Sequence, residues 1–178
     1  SDVYKRQLPR LFDQLDVPAI AAVNGLAIGA GMDIATMCDI RLASTEATFA
    51  ESFLRVGLIS GDGGAWYLPR VVGYPRAVEL ALTCRTLNAA EALDWGLVTH
   101  VLQPEELMPA AREMAHRIAS FAPRSVRLNK RLIRQSMGVP LGTALDLAAS
   151  YQAIIQHTPD HREALLALLE RRKAVFHD

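Results

Sequence analysis

Pro18-Ala19-Ile20-Ala21-Ala22-Val23-Asn24-Gly25-Leu26-Ala27-Ile28-Gly29-Ala30-Gly31-Met32-Asp33 is the stretch that decides the fold. Residues 18–23 are wholly apolar, bounded by a proline and by Asn24-Gly25. A short run of that kind reads as a strand buried on both faces of a mostly parallel sheet. Three glycines follow, Gly25, Gly29 and Gly31, and then Met32 to Met37 at helical register. Glycine lets a backbone come close to a ligand, and the first amides of a helix are unpaired donors at the positive end of its dipole. A corner of this type can hold negative charge, as a phosphate or as an oxyanion. Asp33 stands about one turn inside the helix, beside that charge. The same residues also fit a plain strand–helix corner in which Asp33 only complements the dipole.

Two phosphate-binding patterns fail here. The glycines run G-x3-G-x-G rather than GxGxxG, and no Lys-Ser/Thr pair follows to make a P-loop. Further on, Gly57-Leu58-Ile59-Ser60-Gly61-Asp62-Gly63-Gly64 sets one aspartate among four glycines. Ser60 is not in a nucleophile elbow, since G-x-x-S-G is not G-x-S-x-G. Asp62 is open to two readings: a carboxylate presented on a sharply turned backbone, or a cap or Asx-turn leading into the next helix. His157 and His161 are four apart, but Pro159 between them breaks the helix that would align them, so no metal site is expected. Arg124, Arg127, Lys130, Arg131 and Arg134 fall at i, i+3 and i+4 spacing. They form either a solvated face or a surface for an anionic partner.

Working outward, Leu8, Leu11, Phe12 and Leu15 suggest a helix over 8–15, while residues 1–7 read as a frayed or non-native start. Strands are expected at 39–43, 47–50 and 97–102. A helix or loop is expected around 66–72, and helices at 76–83 and 89–95, then at 105–121, 123–136, 142–157 and 160–176, broken at Pro123, Pro140 and Pro159. The front is α/β and the back is all helix, with a division at 103/104. The chain has 178 residues with 19 basic and 19 acidic side chains, which is ordinary globular composition without the charge of a nucleic-acid binder. Cys38 and Cys84 have no CxxC neighbour, so no disulfide framework is implied. No apolar run is long enough for a membrane span. A cytoplasmic protein is expected.

The segment PAIAAVNGLAIGAGMDIATMCDIRLAS (18–44) resembles the signature of the crotonase, or enoyl-CoA hydratase/isomerase, superfamily. GLISGDGGAWYLPRVVG (57–73), LTCRTLNAAEALDWGLVTHVL (82–102) and LLERRKAVF (168–176) match the family in the same order. The likeness covers residues 8–178. It implies an α/β fold: a partial crotonase-like ββα spiral core over 8–103, then a helical trimerisation region over 104–178. The part of the family upstream of residue 8 supplies a second oxyanion donor and much of the CoA loop, so this chain by itself is expected to be incomplete for turnover.

The resemblance implies an acyl-CoA substrate, with coenzyme A belonging to the substrate and no separate cofactor. The amide of Ala30, flanked by Ile28, Gly29 and Gly31, would face the thioester oxygen, where a fixed donor contributes roughly 3 kcal/mol in other systems. Asp33 stands where the hydratases carry their first catalytic glutamate, and the second would fall at Phe53, which cannot move a proton. Asp33 and Asp62 are therefore the expected acid/base pair, with Glu51 in reserve. Phe53, Gly57 and Gly61 are expected around the substrate, and Arg171 and Phe176, in the last helix, over CoA. Enoyl-CoA hydration is the leading expectation. Enoyl- or dienoyl-CoA isomerisation and a non-catalytic assembly partner are the alternatives. Self-association as a trimer or hexamer is implied, with no nucleic acid or membrane partner.

Overall fold

The computed structural model describes residues 2–176. The chain forms two compact units. One runs to Leu15 and resumes from Ala19 to Glu113; the other holds Asp16–Pro18 and the residues from Met114 onward.

The first unit contains α1 (Asp2–Gln14), β1 (Ile20–Val23), β2 (Leu26–Ile28), α2 (Ala30–Met37), β3 (Ile40–Ser44) and β4 (Thr48–Ala50). A 3-10 turn (Phe53–Val56), α3 (Gly64–Val72), α4 (Tyr74–Thr83), β5 (Leu87–Asn88), α5 (Ala89–Asp94) and β6 (His100–Leu102) follow. Two three-stranded sheets result. One has the order β1-β3-β6 with both pairings parallel; the other is β2-β4-β5, with β2-β4 parallel and β4-β5 antiparallel. The first four strands thus alternate between the two sheets: β1 leaves its chain neighbour β2 and pairs instead across α2 with β3, Ile20 opposite Ile40. Fully buried Phe49, Met32, Leu80, Leu87 and Leu97 belong to the core that this arrangement encloses.

Several boundaries differ from the sequence expectation, each for a local reason. Residues 2–7 are helical rather than frayed; they continue α1, and the Pro9 carbonyl in that helix accepts the Tyr67 hydroxyl at 3.2 Å. β1 is half-buried, not covered on both faces, because it is an edge strand of its sheet. β2 and β5 were hidden in the sequence by their shortness, and Leu26 in β2 is 82% exposed, so no apolar alternation marks it. The start of α5 is better written in the residues. Asn88 Oδ1 accepts from the Glu91 amide at 2.9 Å while the Glu91 carboxylate accepts from the Asn88 amide at 3.0 Å, a reciprocal capping box.

In the second unit α7 (Pro123–Ser136), α8 (Leu141–Gln156) and α9 (Pro159–Leu169) begin at or beside prolines, whose missing N–H costs nothing at a helix start. α6 (Pro104–Ala119) supplies residues to both units. The basic run on α7 is not simply solvated: Arg131 and Arg134 both pair with Asp16, and Lys130 Nζ donates to the Val17 carbonyl at 2.9 Å.

α9 stops seven residues before the expected end. Arg171 takes a left-handed φ of 55°, its amide donates to the Leu168 carbonyl, and the Arg172 amide reaches back to the Ala167 carbonyl at 3.0 Å. That is a Schellman stop made without glycine. Arg171→Gly is therefore expected to raise the unfolding free energy by about 1 kcal/mol, read by urea denaturation, because the left-handed conformation costs a side chain about that much. Phe176 is half-buried and lies in the non-helical tail. Among the described residues no helix is long and apolar enough to cross a membrane.

Candidate active site

The site is built around the head of α2. Gly29 is its N-cap, at φ 55° and ψ −118°, with its amide donating to the Ala50 carbonyl at 2.8 Å and its carbonyl accepting from the Asp33 amide at 3.0 Å. Ala30 opens the helix, so its amide has no carbonyl one turn behind it to pair with, and the residue is exposed. The ring of Phe53 packs on the Cα face of Gly29, where an added Cβ would lie 3.5 Å from it. Asp33, in the first turn, is completely buried.

Three carboxyl groups gather behind this corner: Asp33 from α2, Glu51 just after β4, and Asp62 in the loop before α3. Asp33 Oδ2 accepts the Ser60 hydroxyl at 2.9 Å. Its other oxygen lies so close to Gly64 that a Cβ there would overlap it. Glu51 is 3% exposed. Asp33 Oδ1, Glu51 Oε1 and Asp62 Oδ1 are buried without a hydrogen-bond partner among the described residues. Two neighbouring carboxyls can satisfy one another only if one is protonated.

Burial pushes the Glu51 carboxyl up to about 9, helped by its hydrogen bond to Asp33 and by the charges of Asp33 and Asp62. Burial also raises Asp33, but hydrogen bonds from Glu51, Ser60 and the Gly64 amide favour its ionised form. Burial and the neighbouring negative charges thus oppose a second ionisation within the pair.

A cavity of about 300 Å³ opens beside this cluster. Glu51, Ser60 and Gly64 lie at its polar end, and Phe53, Leu58 and Leu68 are among its apolar walls. A mostly apolar pocket with a few convergent polar groups is the usual form of a small-molecule site. The arrangement suits proton transfer next to an apolar substrate segment, with a free helix-start amide nearby in sequence to receive negative charge.

A family model described as enoyl-CoA hydratase/isomerase matches residues 3–178. The chain belongs to that family. Crotonyl-CoA hydratase of Syntrophomonas wolfei is 40% identical over 167 residues, covering 94% of this chain and 64% of that protein. 1,2-epoxyphenylacetyl-CoA isomerase of Escherichia coli is 38% identical over 169 residues, again 64% of its length. The crystal structure of enoyl-CoA hydratase from Bacillus anthracis superposes with a TM-score of 0.95 at 36% identity, over 98% of this chain and 68% of that one. The chain thus spans somewhat less than two thirds of these curated relatives.

Within this enoyl-CoA hydratase/isomerase chain, Asp33, Glu51 and Asp62 come together; Glu51, expected only in reserve, lines the cavity with Phe53, whereas Asp62, the expected partner of Asp33, does not. Asp62 does not cap α3; the cap is Gly63, at φ 101° and without a side-chain hydrogen bond. Ile28, Gly29, Ala30 and Gly31 lie at the α2 corner and Gly57 and Gly61 in the loop, none of them lining the cavity. Arg171 is exposed beyond the end of α9 rather than on it. Ser60 and Gly64 were missed as partners of Asp33. The motif showed a serine and a glycine in a turn, but their contact with a residue 27 or more positions earlier is set by packing of the loop and α3 on α2. Among the described residues no group of His, Cys, Asp and Glu is placed to hold a metal.

Proposed function

We propose that the full-length protein is an acyl-CoA enzyme that stabilises a thioester enolate and adds water to an enoyl-CoA. The observation that carries this reading is the carboxyl cluster of Asp33, Glu51 and Asp62, with one member kept neutral, at the polar end of an apolar cavity. Its support is membership of the enoyl-CoA hydratase/isomerase family. The Ala30 amide receives the developing oxyanion, because it is an unpaired donor at a helix start. The cluster supplies acid and base. Coenzyme A enters as part of the substrate, with no further cofactor, and Arg171 and Phe176 help to cover it. Leu141, Leu168 and Leu169, each at least 75% exposed, suit a surface for self-association into a trimer or hexamer. Cytoplasmic placement completes the reading.

Double-bond isomerisation is the second reading, favoured by one observation: Glu51 is the single carboxyl residue among those lining the cavity, and moving one proton between two carbons needs only one such group. The full-length protein incubated with crotonyl-CoA is expected to bleach the absorbance of the conjugated thioester. Creation of that absorbance from a 3-enoyl-CoA, without bleaching of crotonyl-CoA, selects isomerisation. Turnover of neither overturns both and leaves a non-catalytic assembly role.

A further inference from the structure

The geometry points to Glu51 as the catalytic acid, drawing on a single proton that it holds jointly with Asp33, which acts through it as a positioning residue. This rests on the acyl-CoA reading above and adds to it the identity of the group that touches the acyl chain.

Asp33 has no exposed surface and does not line the cavity, whereas Ser60 and Gly64, which touch it, do. Glu51 does line it, and is otherwise enclosed. The titratable groups facing Glu51 are Asp33 from α2 and Asp62 from the loop before α3. Both are acidic, so each disfavours a second negative charge and keeps the Glu51 proton in place. Asp33 takes hydrogen bonds from the Ser60 hydroxyl at 2.9 Å, from the Gly64 amide and from Glu51, and of these three donors Glu51 is the titratable one. Phe53 fills the adjoining wall with hydrocarbon, so no further acid stands there.

The step balances with one proton in the pair. Water oxygen bonds to C3 of the enoyl group, and the double-bond electrons move onto the thioester as an enolate. C2 takes the proton from Glu51 as the Glu51 O–H bond breaks. The proton lost by water goes to the pair, which ends with the one proton it started with. Nothing is oxidised or reduced.

The test uses the full-length enzyme and three measurements. Glu51→Gln keeps a donor toward Asp33 but has no proton to release. Its kcat for crotonyl-CoA hydration is expected to fall roughly 10²–10⁴-fold, with KM changed little, the mark of an interaction made in the transition state. Asp33→Asn is expected to move the basic limb of the pH–rate profile to lower pH, because Glu51 loses the anion that held its proton. Infrared spectroscopy of wild type labelled with ¹³C-glutamate is expected to show a protonated glutamate carboxyl at neutral pH that titrates near 9.

If Glu51→Gln keeps wild-type kcat while Asp33→Asn loses it, the acid is another residue; the inference falls and the acyl-CoA reading stands. If the wild type turns over no enoyl-CoA, both fall. Should Glu51→Gln not fold, the infrared signal decides alone, and a glutamate spectrum without the protonated band overturns the inference.

Discussion

Asp33→Asn in the full-length protein is expected to lower hydratase turnover on the order of 100-fold, the loss that follows when a catalytic group is no longer held in place, while raising the thermal midpoint. The two effects have opposite signs for one reason. Asp33 is a carboxyl group with no exposure, held beside two other acids, and burial pushes it above the ordinary carboxylate range. Its satisfied contacts, the Ser60 hydroxyl and the Glu51 proton, only partly offset the loss of water. Asparagine keeps the shape, accepts from Ser60 and removes the charge, so stability is expected to rise, by roughly 0.5–2 kcal/mol, the size common for single stabilising substitutions.

The sign with pH follows from Glu51. Its folded value lies near 9 against an ordinary 4.5, so its contribution to stability is fully present below 4.5 and is lost as pH rises toward 9. Removing the Asp33 charge lowers that folded value and flattens the decline. Differential scanning calorimetry from pH 5 upward, run beside the crotonyl-CoA assay, measures both. A lower midpoint for Asp33→Asn throughout would mean that the carboxylate is a structural anchor.

Gly64→Ala carries the second large effect. The added methyl would overlap Asp33 Oδ1 and lie 2.8 Å from Ser60 Oγ. Neither is the tip of a long, free side chain, so the Asp33 carboxylate and the loop must both move. Overpacking of this kind costs about 1–3 kcal/mol, and a catalytic group displaced by about an ångström loses on the order of 100-fold in rate. Gly96→Ala is the control. Its φ of 74° strains any side chain, but nothing lies within 4 Å of the new methyl. A similar loss of stability with unchanged kcat is expected there. Equal kcat losses in the two variants would show that Gly64 matters only for folding.

Much of this could be read from the residues, and what escaped has a physical cause. The parallel β1 and the glycine corner with Asp33 in the first turn of α2 follow from residues 18–33, because an apolar run, a turn and a helix start are local properties; the burial of Asp33 does not. The convergence of Glu51 and Asp62 on Asp33 came through family likeness and not from spacing, since sequence distance says nothing about which loop folds over which helix. Ser60 was judged only against the nucleophile-elbow pattern, and its hydrogen bond to Asp33 escaped. α9 was overrun because Arg171 is a poor residue for a left-handed stop, and a glycine there would have announced the end.

The distribution of successive strands between two sheets has a kinetic consequence. Ile20 meets Ile40, Leu26 meets Thr48, Thr48 meets Asn88 and Leu42 meets His100, so no pairing among the described residues joins positions fewer than twenty apart. There is no hairpin from which zippering can begin, and each ladder must first bear the entropy of closing a long loop. Refolding from denaturant is therefore slow for a chain of this length, with exposed apolar strand segments competing for intermolecular contacts until α2 brings β1 and β3 together.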